Sequence, residues 1–340
     1  MTRHRFLALA AVIVVVASLG GALGACASDA DTLTVYSGRS DPLIGPLLEQ
    51  FADEHDVDVE VRYGDSADLA LLIDEEGDRT PADVVISQSP GAVGFLDLKG
   101  RLEPLSDDVL GSVSTDYRAP DGEWVGLTGR VRVLVYNTDL VSPDELPASV
   151  FDVTEERYRD QVGVAPTNGS FQDFVSVMRE DVGDEATLEW LEGLVANGAR
   201  TYANNSAIRD AVGRGEIPMG LVNHYYNERA LAEDPSEPTV NYFFEDGDIG
   251  STILVTAAGI LAGTDQQDAA DELIHFLLSE QAQEYFAQET FEYPLAAGVS
   301  PATDLPPLDS IAAPPADLAA LGADLEATKE LIVASGLEQS

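Results

Sequence analysis

The chain of 340 residues contains one cysteine, Cys26. A single thiol forms no internal disulfide and builds no thiolate metal cluster. Lysine is nearly missing: Lys99 and Lys329 are its two occurrences, and the rest of the 18 basic residues are arginines. Against them stand 61 acids, for a formal charge of −43. Nucleic-acid binding is excluded on this balance, because phosphate recognition needs a basic face. A solvated, salt-tolerant surface accounts for most of the acidity, and such a field also concentrates cations at low salt. Beyond the first 25 residues no apolar run approaches the ~20 residues of a membrane-spanning helix. The stretch Ser251 to Gly263 is apolar but short and interrupted by glycine. Also missing are a Gly-x-Ser-x-Gly elbow, an HExxH pair, a P-loop and a GxGxxG turn after a strand. His55 and His275 lie on helix-like segments without ligand spacing. Carboxylates meet by chance in so acidic a chain, so no specific acid–base pair stands out, and the expectation is that the protein is not an enzyme.

What is present begins at the N-terminus. Arg3 and Arg5 precede an apolar run from Phe6 to Ala17, with no acid before Asp29. That length suits a signal-peptide core. Leu23-Gly24-Ala25-Cys26 follows, with the shape of a bacterial lipobox. The expectation is a signal peptide over 1–25, lipidation of Cys26, and a tether over 26–32. The mature chain then lies outside the cytoplasm and touches the membrane through its lipid anchor alone. It retains roughly 315 residues, enough for two compact lobes, since single cores stop growing near ~250–300 residues.

Along the mature chain, apolar runs alternate with helical patterns. Leu33 to Tyr36, Val57 to Tyr63 and Ala82 to Ser87 read as strands. Pro42 to His55 and Ser66 to Glu76 read as helices between them. This β-α-β-α-β order predicts a parallel sheet covered by helices. The pattern restarts with strands at Val131–Tyr136, Gln161–Ala165, Thr201–Ala203, Met219–Val222, Val240–Phe244 and Ile253–Leu261. Helices fall at Phe171–Met178, Ala186–Ala196, Ala269–Leu278, Glu280–Ala287 and Pro315–Ala334, the last after a proline-rich loop. Two α/β units in one chain favour two lobes, with ligand in a cleft at the carboxyl ends of strands.

Five strand ends carry candidate chemistry. In Asn223-His224-Tyr225-Tyr226, two phenols follow a strand and precede a helix. They are suited to a hard cation such as ferric iron, which stabilises the phenolate; packing, or stacking on a sugar or amine, is the alternative. Pro166-Thr167-Asn168-Gly169-Ser170-Phe171 opens a helix and offers free amides to an anion, or simply caps that helix. Thr201 to Ser206 makes a third such junction. Arg39, after the first strand, neutralises an anion or ties loops together. Asp65 is the better cap of the helix at Ser66, which leaves Asp68 free to face a cleft.

Taken in order, these segments resemble the ferric-binding protein A family, the iron(III)-binding subunits of ABC importers. The resemblance spans about Leu33 to Val299. It rests on Val35-Tyr36-x-Gly38, Glu75-Glu76-Gly77 with Pro81-Ala82-Asp83-Val84, and Trp124-Val125-Gly126-Leu127-Thr128-Gly129-Arg130. It continues through Val135-Tyr136, Pro166-Thr167-x-Gly169-x-Phe171, Asn205-Ser206, Asn223-x-Tyr225-Tyr226 and Glu292-Tyr293-Pro294-Leu295. The resemblance implies the α/β, two-lobed, type II periplasmic-binding-protein fold, with mixed sheets covered by helices and hinge strands between lobes. The first lobe is expected over 33–131 plus 255–305, the second over 132–254 plus 306–340. It further implies Fe³⁺ as cargo, held by Tyr225, Tyr226 and Asp68, with Asp65 as fallback. A synergistic anion, phosphate or carbonate, is expected on Asn168, Gly169, Ser170, Asn205 and Asn223, beside Arg39. The implied partners are an ABC permease and its ATPase, and the protein is expected to be monomeric.

One departure stands out. Where many members carry a histidine ligand after the first strand, this chain has Ser40; where others add tyrosines near the anion loop, it has Ser170 and Phe171. Fewer protein ligands predict a more anion-dependent site. They also keep open a metal-free organic or phosphorus-containing anion as the ligand of the same fold.

Overall fold

The computed structural model describes residues 32–339, apart from 245, 246, 297, 303, 304, 312, 314 and 315. The expected signal peptide and Cys26 lie outside the described residues. Among the described residues no helix is long and apolar enough to cross a membrane.

The first strands and helices follow the sequence pattern closely. They are β1 (Thr32–Ser37), α1 (Asp41–His55), β2 (Asp58–Tyr63), α2 (Ser66–Glu76) and β3 (Val84–Ser87). β1 lies between β2 and β3 and is parallel to both. α1 begins with Pro42 in its first turn, where a missing N–H costs nothing, and ends on Asp56 in the left-handed region. Asp65 caps α2 by accepting from the Ala67 amide, as its position suggested.

The sequence reading missed α3 (Pro90–Leu98). Two glycines, Gly91 and Gly94, hide its pattern, yet Ser89 caps it and Pro90 starts it. Short β4 (Leu102–Glu103) and α4 (Asp107–Gly111) follow. Then comes β5 (Val125–Asn137), thirteen residues that are all buried. It is longer than the expected Val131–Tyr136, because its first half alternates with small residues, Gly126 and Gly129, rather than reading as an apolar run.

The second half of the chain adds β6 (Val162–Val164), α5 (Gly169–Val182), α6 (Asp184–Ala196), β7 (Arg200–Thr201), α7 (Asn205–Gly213), β8 (Met219–Asn223), α8 (His224–Glu233) and β9 (Thr239–Tyr242). It ends with β10 (Ile253–Leu261), α9 (Gln267–Leu277), α10 (Glu280–Gln288), β11 (Tyr293–Pro294) and α11 (Leu321–Ser335).

The strands run in the order β2-β1-β3-β10-β5-β8-β6-β7. Val125 to Val131 of β5 pair antiparallel with β10, whereas Arg132 to Tyr136 pair with β8 and Leu134 to Asn137 with β9. β5 therefore changes partners at the Val131–Arg132 step. Four apolar clusters cover the two faces on either side of this step. α1, α9 and α10 cover one face of the first segment, and α2 and α3 cover the other with Trp124. Phe171, Phe174 and Trp190 of α5 and α6 cover one face of the second segment; Ile208 and Val212 of α7 cover the other. α11 reaches both segments. Leu321 and Leu325 pack with Val93 and Leu96 of α3, whereas Ile332 joins the cluster around Trp190.

Candidate functional site

Asn223 ends β8 in extended conformation, and α8 begins at the next residue. This junction puts Tyr225 and Tyr226 in the first turn of α8, with rings stacked at a centroid distance of 4.3 Å. Tyr225 is fully buried and Tyr226 partly so. Between Asn223 and the phenols, His224 pegs α8 in place. Its Nδ1 accepts from the Val131 amide at 3.1 Å, which leaves Nε2–H to donate to the Phe291 carbonyl at 2.8 Å. Burial pushes this histidine down to about 4, so it stays neutral in this tautomer. Phe291 has φ of 58°, an uncommon value for a bulky residue, and the turn it makes leads directly into buried Glu292.

Glu292 pairs with Arg39 and accepts from Thr128 Oγ1 at 2.9 Å. Arg39 in turn donates to Tyr225 Oη at 3.4 Å and lies 5.6 Å from the centre of that ring. Burial alone would lower the Arg39 pKa; Glu292 and the two phenols outweigh it and raise it. The Tyr225 phenol is raised, first by burial and next by the neighbouring Tyr226, with Arg39 opposing. Tyr225 is thus a protonated phenol until something cationic displaces the proton.

Arg130 and Arg132 complete the positive side of the site. They project from one face of β5, two residues apart, and both are fully buried. Arg132 Nη1 donates to the side-chain oxygens of Asn223 at 3.1 Å and Asn205 at 3.4 Å. Those bonds fix both amides so that their NH₂ groups point the other way. Asn205 Nδ2 donates to Asn168 Oδ1 and Ser170 Oγ, each at 3.2 Å, and Asn223 Nδ2 donates to Ser170 Oγ at 3.3 Å. Asn168 also caps α5. Nε and Nη2 of Arg130 and of Arg132, and Nε of Arg39, are buried without hydrogen-bond partners. Burial, with Arg130 adding to it, pushes Arg132 down to about 9. Three guanidiniums face two carboxylates, Glu292 and Asp173, so the buried cluster carries surplus positive charge. Helix starts add to it. A Cβ on Gly169, at the start of α5, would lie 3.8 Å from Ser66 at the start of α2 and 3.6 Å from Ser89 at the cap of α3. This arrangement suits an oxyanion next to a pair of phenolates.

The structure thus brings together Tyr225, Tyr226, Arg39, Asn168, Ser170, Asn205 and Asn223, with Gly169 at the helix start. Asp68 is elsewhere occupied: its exposed carboxylate lies 3.9 Å from Lys329 on α11. Asp65 serves as the cap of α2, its pKa raised by burial. Sequence reasoning gave no role to Arg130, Arg132, Glu292 or His224. The signal for the first two was there: arginines two apart inside an otherwise apolar strand, in a chain poor in bases. Beside Tyr226 a cleft of about 440 Å³ opens, lined by Ser206, Arg209, Arg229, Glu233 and Glu237 among others.

Residues 79–316 match the family described as bacterial extracellular solute-binding protein. The chain is 29% identical over 337 residues to the Fe(3+)-binding periplasmic protein of Serratia marcescens, covering 98% of this chain and 99% of that protein. It is 32% identical over 303 residues to the major ferric iron-binding protein of a serogroup A Neisseria meningitidis, covering 88% and 91%. Among solved structures, iron-bound HitA from Pseudomonas aeruginosa superposes with a TM-score of 0.86 at 30% identity, over 90% of this chain and 99% of that one. The fold is therefore α/β of the two-lobed type II periplasmic-binding kind, and the chain belongs to the ferric-binding protein A-like family of bacterial extracellular solute-binding proteins.

Proposed function

We propose that the protein is the extracytoplasmic receptor of an ABC importer and that its cargo is ferric iron with a synergistic anion. Tyr225 and Tyr226 supply tyrosinate ligands to Fe³⁺. The anion, phosphate or carbonate, sits on Asn168, Gly169, Ser170, Asn205 and Asn223, and completes the coordination. Arg39 and Arg132 balance its charge. The observation that carries this reading is the stacked phenol pair beside buried guanidinium N–H groups that lack hydrogen-bond partners. Iron binding then replaces phenolic protons, and the anion neutralises surplus positive charge in a medium where an unpaired charge is costly. Asp68 remains the candidate carboxylate ligand, on the condition that it leaves Lys329.

Residues 33–131 with 255–305 form one lobe in this reading, and 132–254 with 306–340 the other. The lobes close about β5 and β10, where β5 changes partners. Closure presents the loaded form to a permease driven by its ATPase, and Cys26 carries the lipid that keeps the monomeric receptor at the membrane.

Adding ferric citrate to protein starting at Ala27 tests the cargo. A visible charge-transfer band is expected with phosphate or carbonate present, and it disappears in the Tyr225→Phe, Tyr226→Phe double variant. A folded native protein that stays colourless rejects iron. The second reading, a metal-free organic or phosphorus-containing anion, is favoured by the same unpaired guanidinium N–H groups. Calorimetry on metal-free protein separates the two, since tight anion binding that iron does not strengthen supports the second. Small-angle scattering that shows no compaction on loading refutes closure.

A further inference from the structure

Asp173 lies one turn into α5, beyond the anion loop, and is 2% exposed. Its carboxylate points across the seam between the two sheet segments. Ser89 Oγ, the cap of α3, donates to Oδ1. The Gly91 amide donates as well. The approach is close, for a Cβ on Gly91 would stand 2.8 Å from Oδ1. Oδ2 has no hydrogen-bond partner and faces Arg130 Nη2 at 4.0 Å, an atom that also lacks one. α3 packs on β3 and β10, on one side of the seam. α5 packs on α6 through Phe171, Phe174 and Trp190, on the other. A buried carboxylate from one segment thus rests on the helix start of the other. None of the proposed metal ligands touches it.

We propose that Asp173 is a latch between the two lobes, and that its protonation sets how firmly the cleft stays shut. The proposal rests on the two-lobed reading of the seam and does not require iron. The charged groups that face Asp173 are Arg130 and Arg132 from β5 and Asp65 from the cap of α2. α3 offers Ser89 and Gly91. α6 presents apolar rings to α5, and α11 meets α5 through Thr328, bonded to Ser176 and Arg179. Burial outweighs the donors and raises the carboxyl to about 7. Opening exposes it to water, where an aspartate titrates near ~4. The closed form therefore holds the proton more tightly than the open one. Closure takes up a proton, is favoured at low pH, and loses that advantage as pH rises through about 7.

Two measurements on metal-free protein test the latch. In denaturant unfolding from pH 4 to 9, the folding constant of the native protein relative to Asp173→Asn should fall by about tenfold per pH unit between ~4 and ~7, then level off. Ser89→Ala removes a donor to the carboxylate, so its levelling point should move to higher pH; this variant keeps the test alive where Asp173→Asn fails to fold. In small-angle scattering, the native protein should expand between pH 5.5 and 8.5 more than Asp173→Asn does. Relative folding constants that stay flat with pH overturn the proposal. Equal expansion in the two proteins also overturns it, by leaving Asp173 a structural residue only. Neither measurement reads iron, so a colourless protein in the ferric assay would reject the cargo and leave the latch standing.

Discussion

Replacing Arg132 by methionine should make the metal-free, anion-free protein more stable and remove its response to phosphate. Arg132 is 1% exposed, and burial, with Arg130 adding to it, lowers its pKa to about 9. At ~1.36 kcal/mol per unit, a fall of this size corresponds to roughly 4–5 kcal/mol of unfavourable burial. That disadvantage is constant below pH 9, so an assay at pH 7.5 reads all of it. Methionine fills similar space without charge, but it leaves Asn205 and Asn223 each short of a donor, at about 1 kcal/mol apiece. The net expectation is a gain of about 1–3 kcal/mol, in line with other buried charges replaced by apolar groups. Phosphate at a hundredfold over its Kd should stabilise the native protein by about 2.7 kcal/mol. With ~2 °C or more per kcal/mol, Tm should rise by about 5 °C. Thermal melts of both proteins, with and without phosphate at matched ionic strength, decide the matter. A variant less stable than the native protein, or one that gains as much from phosphate, refutes the reasoning.

Other expectations follow from the same geometry. Because Tyr225 is buried with a raised phenol pKa, iron loading should release protons, and apparent iron affinity should fall as pH falls; titration at pH 6, 7 and 8 in weak buffer reads both. His224 is held neutral, with its pKa pushed down to about 4 against 6.5 when unfolded, so the stability it supports is lost as pH falls between those values. His224→Gln should flatten roughly 2.4 kcal/mol of acid destabilisation, read by urea unfolding at pH 4.5 and 7. Gly322→Ala at the start of α11 should cost more than ~1–3 kcal/mol, because its Cβ would fall 2.1 Å from the backbone of Gly94 in α3; Tm measurement checks it.

The outer frame was readable in the sequence because its patterns are local. α1, β2, α2 and β10 have the period and caps of their type, and the structure places them within a residue or two of expectation. α3 was not readable, because Gly91 and Gly94 lower its helix signal while serving the close crossing with α11, a contact between segments more than two hundred residues apart. The junction at Asn168, Gly169 and Ser170 was legible, since it lies between a strand and a helix that both read clearly. The buried arginines left a signal, two bases two apart inside β5, but their role was not legible, because a charge inside a strand is explained only by what meets it in three dimensions. Arg39 meets Glu292 across most of the chain, and Arg132 meets two asparagines on separate helices and strands. Asp68 was chosen by order along the chain alone, and that order carries no sign of its approach to Lys329, which comes from α11 more than two hundred residues away.

The surplus charge of the buried arginine cluster has a practical side. On the proposed reading, the buried guanidinium N–H groups without partners would draw an oxyanion from almost any buffer, so a preparation stripped of metal would not thereby be empty. Affinities measured in phosphate and in a zwitterionic buffer would then describe different starting states, and the gap between them would itself be the coupling between the proposed anion and metal. Dialysis history belongs with every such constant, because the reference state is set before the first titrant is added.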